Sequence, residues 1–284
     1  MIEARYVPIR NALLFVEIHT PDDVGIGELP TVVCLHTAGQ SGVQWRHAAP
    51  DLARAGYRVL VPDLPGHGRS EPAVDGPVTD LGVYADTIGD LLDVLGVDRP
   101  FVIGCSIGGK ITLDLALRPE RPLAGAVALE ADTAPGHVNV RGLRRELDDI
   151  ASPSRADRTY LGTLASVGGC VTDEVARRIA TMHKREDPEI SSSDLIGWGT
   201  HDLRARHDRL TCPLHLAVGD QDCWVDADAI ERTAATIAAA STHPVRFTPL
   251  EAVGHYPMEE IENFGALAHR WLTALTSNSA VSAP

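Results

Sequence analysis

The sequence predicts an α/β fold, a mostly parallel sheet flanked by helices with a helical segment inserted late in the strand order. Three observations predict it. Strand-like apolar runs alternate with amphipathic stretches along most of the 284 residues, the rhythm that places helices on both faces of a parallel sheet. Gly104-Cys105-Ser106-Ile107-Gly108 lies between a strand-type run, Phe101-Val102-Ile103, and a stretch of helical spacing over 109–117. The rhythm then breaks between 134 and 206, where the patterns are helical, polar and punctuated.

Taken in order, residues 11–19 form the first expected strand, followed by a Pro/Asp/Gly loop. Residues 31–36 read as a buried strand, 45–55 as a helix, 57–61 as a strand and 78–95 as a helix. The strand at 101–103 and its helix follow, then a strand over 123–130. Inside the break, helices are expected over 138–150, 155–165, 172–183 and 193–206. Strand and helix resume with 213–218, a helix over 226–240 capped by Asp226, a strand over 245–250 and a last helix over 259–276. The expected organisation is a core of residues 1–133 and 207–276, a helical cap of 134–206 and a flexible tail of 277–284. Such a cap would lie over the strand ends, where ligands of open α/β sheets bind.

Bulk properties narrow the function classes. Apolar residues at 44% and charged residues at 23% are ordinary for a soluble protein. Lysine plus arginine number 25 against 39 aspartates and glutamates, a formal charge of −14. That balance argues against nucleic acid or an anionic membrane as the main partner and leaves a small-molecule substrate as the expected one. The five cysteines are scattered without a C-x-x-C pair, so neither zinc nor a disulfide framework is indicated and a reduced compartment fits. Met1-Ile2-Glu3-Ala4-Arg5 lacks the pattern of a signal peptide, and no apolar run approaches the ~20 residues that span a bilayer. The expected location is cytoplasmic. An apolar face on the cap would permit a homo-oligomer, but its helices carry no legible motif for one.

A strand turning sharply into a helix with a serine at the apex is the geometry of a nucleophile elbow. Gly104 and Gly108 suit it because the turn forces backbones together. Ser106 would project above the sheet edge and the Ile107 N–H would face the reacting carbonyl. A serine hydroxyl needs a base to take its proton and a carboxylate to orient that base. Of 12 histidines, His255 follows the last strand directly, after Gly254. Asp222 lies just past the preceding strand, and Glu130, at the end of the strand after the elbow helix, is a rival acid. As a structural residue, Glu130 would instead hydrogen-bond the start of the cap. The oxyanion needs two preorganised N–H donors. Ile107 supplies one, and the small-residue loop Thr37-Ala38-Gly39-Gln40-Ser41-Gly42 offers Ala38 as the second. Asp63-Leu64-Pro65-Gly66-His67-Gly68-Arg69-Ser70 forms a tight loop after a strand. Its histidine is expected to be structural, since it precedes the nucleophile on a different side of the sheet. Trp45, Trp198, Trp224 and Tyr256 are equally suited to pocket or core.

With these pieces assembled, the chain resembles the α/β-hydrolase superfamily. The resemblance covers residues 10–276 and rests on His36-Thr37-Ala38-Gly39, Pro62-Asp63-Leu64-Pro65-Gly66-His67-Gly68-Arg69-Ser70, Gly104-Cys105-Ser106-Ile107-Gly108-Gly109, Gly219-Asp220-Gln221-Asp222 and Gly254-His255. It implies an eight-stranded sheet, the chain order Ser106, Asp222, His255 for the catalytic groups, and catalysis without metal or organic cofactor. Thr37 stands where many relatives have glycine, and its hydroxyl would add a donor to the oxyanion loop. Thr37 and Trp198 are accordingly expected to touch substrate. Haloalkane dehalogenases and epoxide hydrolases of the superfamily use aspartate at the elbow, so Ser106 disfavours both. The remaining options are ester, lactone or thioester hydrolysis, hydrolysis of a carbon–carbon bond in a diketone, and perhydrolysis. A small, largely apolar ester or lactone leads, with carbon–carbon hydrolysis as its rival and a ligand-binding protein as the alternative of a different class.

Overall fold

Eight short runs rich in Val, Ile, Leu and Ala pair into strands. They are β1 (Ile2–Ile9), β2 (Ala12–His19), β3 (Thr31–Leu35), β4 (Arg58–Pro62), β5 (Phe101–Cys105), β6 (Gly125–Leu129), β7 (Leu214–Gly219) and β8 (Val245–Leu250). In the computed structural model, which describes residues 1–22, 29–148 and 155–276, they form one sheet in the order β1-β2-β4-β3-β5-β6-β7-β8. β1 and β2 join antiparallel at one edge, while β4, β3, β5, β6, β7 and β8 run parallel. The α/β class and the mostly parallel sheet agree with the sequence pattern.

Alternate side chains of the parallel strands face opposite layers, so both faces must be covered. Val33 and Val102 join a core with Leu81, Ile111 and Ile230, from α2 (Leu81–Val94), α3 (Ile107–Ala116) and α8 (Ala227–Ala240). Val32 and Ile103 join a second core with Leu52 of α1 (Ala48–Arg54) and Phe264 and Trp271 of α10 (Phe264–Thr276). Two layers of helices thus clamp the sheet, and the carboxyl ends of β3, β5, β6, β7 and β8 rise toward one edge. Asp226 caps α8, its side chain accepting from Asp228 N at 3.1 Å.

Between β6 and β7 the chain leaves the sheet for α4 (Val140–Asp148), α5 (Arg155–Ser166), α6 (Asp173–His183) and α7 (Pro188–Thr200). Lys110 of α3, fully buried, braces the start of this insertion by donating to Asp132 O at 2.8 Å and to Ala134 O. Burial lowers its pKa to about 8.

Three elements differ from the sequence expectation. β1 was not anticipated. α7 runs over Pro188–Thr200 rather than 193–206: it starts early because Asp187 caps it, accepting from Glu189 N at 2.8 Å and Ile190 N at 3.3 Å, and a separate short 3-10 turn follows over Arg204–Arg209. The last expected helix divides into α9 (Pro257–Glu260) and α10, with a break over 261–263. The expected tail of 277–284 and the end of the helix expected over 138–150 lie outside the described residues. Among the described residues no helix is long and apolar enough to cross a membrane.

Candidate active site

Ser106 sits where β5 turns into α3, with φ 58° and ψ −119°. This conformation is sparsely populated for a residue with a side chain and persists only where the surroundings dictate it. Here they do: Ser106 N donates to Leu129 O and Lys110 N to Ser106 O, both at 2.9 Å. A Cβ on Gly104 would stand 2.2 Å from Gly108 O, and one on Gly108 would stand 2.5 Å from Leu35 O. Both glycines are therefore steric requirements of the turn.

The loop after β8 carries His255. The buried Glu260 shapes it by accepting from Gly254 N at 2.8 Å, Tyr256 N at 2.9 Å and, from the α5–α6 connection, Gly168 N at 2.9 Å. His255 Nδ1 lies 2.6 Å from Asp222 Oδ2, and Asp222 Oδ1 accepts from Trp224 N at 2.6 Å. Burial opposes ionisation of Asp222, but the facing His255 and the hydrogen bonds outweigh it and hold the carboxyl below its usual range. Glu130 behaves oppositely: burial, reinforced by the Asp222 carboxylate, pushes it well up. Glu130 Oε1 accepts from Gly219 N at 2.8 Å, so it braces the end of β7 rather than the start of the insertion. Its buried Oε2 has no hydrogen-bond partner among the described residues. Among the described residues no hydrogen bond joins Ser106 Oγ to His255, and such bonds are often long before substrate arrives.

One donor atom each of Glu130, Asp222 and His255 lies within 4.8 Å of the others, so this trio is the place where a cation would find ligands. Both Asp222 oxygens and Glu130 Oε1 already accept hydrogen bonds from protein donors, a pattern that serves orientation of the histidine.

The loop after β3 is fixed from three sides. His36 Nε2 accepts from Leu64 N at 3.0 Å, so its Nδ1 carries the hydrogen and donates to Thr37 O at 2.9 Å. Burial, then the neighbouring His67 ring, lower the His36 pKa to about 4, which keeps that ring neutral. Gln44 Oε1 accepts from Thr37 N at 2.9 Å and from its hydroxyl at 3.1 Å. Gly39 N donates to Asp194 Oδ2 at 2.8 Å. Ala38 lies between two fixed neighbours, and among the described residues its N–H meets no acceptor. The expected Thr37 hydroxyl donor is thus already engaged by Gln44.

Ser106, His255, Thr37 and Ala38 border one cavity of about 290 Å³, together with Trp198, Trp224 and Tyr256. The insertion closes it with Leu143 of α4, Arg155 of α5 and Glu186 of the α6–α7 connection. Arg155 is paired with Glu146 at 2.6 Å and Glu186 at 3.4 Å. Trp45 is not on this wall; it packs edge-on against Phe264 in the core. Sequence reasoning did not identify Gln44, Asp194 or Glu260. Asp194 had a signal, a lone acid among Ile190, three serines, Ile196 and Trp198, all buried on α7.

The sequence matches the family described as alpha/beta hydrolase fold over residues 30–164. It is 36% identical over 259 residues to a 2-hydroxy-6-oxononadienedioate/2-hydroxy-6-oxononatrienedioate hydrolase of Cupriavidus pinatubonensis, covering 84% of this chain and 86% of that protein. It is 31% identical over 215 residues to the magnesium-chelatase 30 kDa subunit of Rhodobacter capsulatus, covering 72% of this chain and 75% of that one. The fold superposes on a thermophilic esterase from Thermogutta terrifontis with a TM-score of 0.79 and 21% identity, over 97% of this chain and 100% of that one.

Proposed function

The chain belongs to the α/β-hydrolase fold family, and on that premise we propose that it is a serine hydrolase cleaving a small, largely apolar carboxylic ester or lactone through an acyl-enzyme on Ser106. The observation that carries this is the 2.6 Å contact of His255 Nδ1 with Asp222, on a ring that shares a cavity wall with Ser106. With its Nδ1 hydrogen donated to Asp222, the ring keeps a lone pair on Nε2. That lone pair takes the Ser106 proton as Oγ attacks the carbonyl carbon, and the ionised Asp222 holds the imidazolium. The Ala38 and Ile107 N–H groups receive the oxyanion. His255 then protonates the leaving alcohol and activates the water that frees the acid. Residues 134–206 serve as a cap, since Leu143, Arg155 and Trp198 from three inserted helices line the same cavity. Thr37 and Trp198 would touch the substrate there.

A second function, hydrolysis of a carbon–carbon bond beside a ketone, is favoured by the relative from Cupriavidus pinatubonensis, whose name states a 2-hydroxy-6-oxo dienedioate substrate. The test follows p-nitrophenol release from short esters by wild type and Ser106→Ala, from the first milliseconds, beside a vinylogous diketone. Loss of a triad nucleophile costs on the order of 10⁶ in kcat, so the variant should fold and be inert. An ester burst in wild type alone supports the acyl-enzyme. Turnover of the diketone alone transfers the assignment to the carbon–carbon reaction. Equal activity in the variant removes Ser106 from the mechanism, and tight binding without turnover makes the chain a binding protein.

A further inference from the structure

Asp194 is fully buried on α7 and takes no part in the proton transfers proposed above. Its Oδ2 accepts from Gly39 N at 2.8 Å and lies 2.7 Å from His67 Nε2, and its Oδ1 accepts from Tyr84 OH at 2.9 Å. His67 Nδ1 faces Pro65 O at 3.1 Å, so both ring nitrogens face acceptors and the ring is an imidazolium. A buried carboxylate is tolerated when it is paired and fully hydrogen-bonded, and Asp194 has a cation, a hydroxyl and a backbone amide. α7 already has Ile190, Ile196 and Trp198 to seat it by apolar contact, so attachment of the helix does not require a charge at 194.

The amide that Asp194 holds is the one next to Ala38. Gly39 has φ +66°, and a Cβ there would stand 2.7 Å from Glu186 Oε2 and 2.9 Å from Ser191 Cβ, so the loop is pressed against the inserted helices. On its other side Thr37 is held by His36 and Gln44. Fixing both flanking residues fixes the peptide between them, because the backbone has two soft dihedrals per residue.

Resting on the serine-hydrolase mechanism above, we propose that Asp194 is a positioning residue for the oxyanion hole: it grips the Gly39 amide from α7 and so aims the Ala38 N–H at the carbonyl that Ser106 attacks. The cap is then part of the oxyanion hole, since the loop takes its place only when α7 is docked against His67 and Tyr84.

The test compares wild type with Asp194→Leu and Asp194→Asn. The asparagine amide can turn its oxygen toward Gly39 and its NH₂ toward the Tyr84 oxygen, keeping the grip; leucine cannot. Removing one oxyanion donor costs about 10²–10³ in kcat, and a misaimed donor should cost somewhat less. Expected for Asp194→Leu is therefore a fall of roughly ten- to a hundredfold in kcat per folded molecule, with KM within about threefold. Asp194→Asn should recover most of that loss. A trifluoromethyl ketone supplies a direct readout. Ser106 Oγ bonds to its carbonyl carbon, the π pair becomes the oxyanion and the serine proton passes to His255. Its affinity should fall by the same factor as kcat. Should Asp194→Leu fail to fold, the double variant Asp194→Ser, His67→Gln, which leaves no unpaired buried charge, should show the same loss. A folded Asp194→Leu or double variant with wild-type kcat and ketone affinity overturns the proposal. Equal losses in the asparagine and leucine variants overturn it too. A wild-type protein that neither turns over esters nor binds the ketone instead refutes the serine-hydrolase mechanism, and the positioning role with it.

Discussion

Asp222→Asn is the substitution whose consequence can be worked furthest from the structure. Asp222 Oδ1 accepts from Trp224 N at 2.6 Å, and Oδ2 lies 2.6 Å from His255 Nδ1. The backbone N–H of Trp224 can only donate, so the variant amide must place its oxygen there and turn its NH₂ toward His255. Nδ1 is then forced to accept, which moves the ring hydrogen to Nε2, the nitrogen that should take the Ser106 proton. The loss is one of tautomer as well as charge, and a misplaced tautomer in a serine triad costs about 10⁴ in kcat, roughly 5 kcal/mol. Glu130→Gln is the matched control. Burial and the Asp222 carboxylate push Glu130 well up, toward its neutral form, and Oε1 meets Gly219 N, both of which a glutamine can imitate, so its kcat should stay within about tenfold of wild type. Steady-state release of p-nitrophenol, scaled to folded protein, measures both. Near wild-type turnover in Asp222→Asn with a thousandfold loss in Glu130→Gln would refute this and move the acid to Glu130.

Two further substitutions test the frame around the site. Gly104→Ala would drive its Cβ to 2.2 Å from Gly108 O, a backbone atom that cannot step aside, and should cost about 3 kcal/mol or more in denaturant unfolding; an unchanged midpoint would show that the elbow relaxes. His67 has its pKa raised, since burial opposes the charge but Asp194 overrides it. Its contribution to stability is therefore full below the unfolded value of about 6.5 and is lost as pH rises through the higher folded value. The stability gap between wild type and His67→Gln should shrink as pH rises through that window, and a gap independent of pH would mean that the ring is neutral.

The inner parallel strands, β3 to β7, were legible because they are buried on both faces and read as nearly unbroken apolar runs. β1 was not, because an edge strand has no such run. Ile2–Ile9 exposes six of its eight residues and carries Glu3, Arg5 and Pro8, features that blunt an edge. It is tied to β2 by Arg10 and Asn11, both at positive φ (50° and 65°), a hairpin geometry usually announced by Asn-Gly. The start of α7 was written in Asp187-Pro188, a cap followed by proline at the first turn. Three serines masked it, yet Ser191, Ser192 and Ser193 are buried within the helix.

At the site, Ser106, His255 and Asp222 could be found by motif and position, whereas Asp194 and Glu260, which hold the neighbouring loops, could not. Asp63 accepts from Gly42 N at 2.7 Å, Asp194 from Gly39 N at 2.8 Å, Glu130 from Gly219 N at 2.8 Å, and Glu260 from Gly168 and Gly254 N at 2.9 and 2.8 Å. Each couples a buried acid to the amide of a glycine, from 6 to 155 residues away. A glycine approaches closely because it has no side chain, and a carboxylate compensates an amide that such a tight loop would leave unpaired. The partner is backbone, so no second side chain marks the pair in sequence. The same property explains why these loops are rigid enough to serve a reaction: a charge-assisted bond to the main chain fixes the peptide itself, and the Ala38 and His255 peptides both lie within one residue of such an anchor.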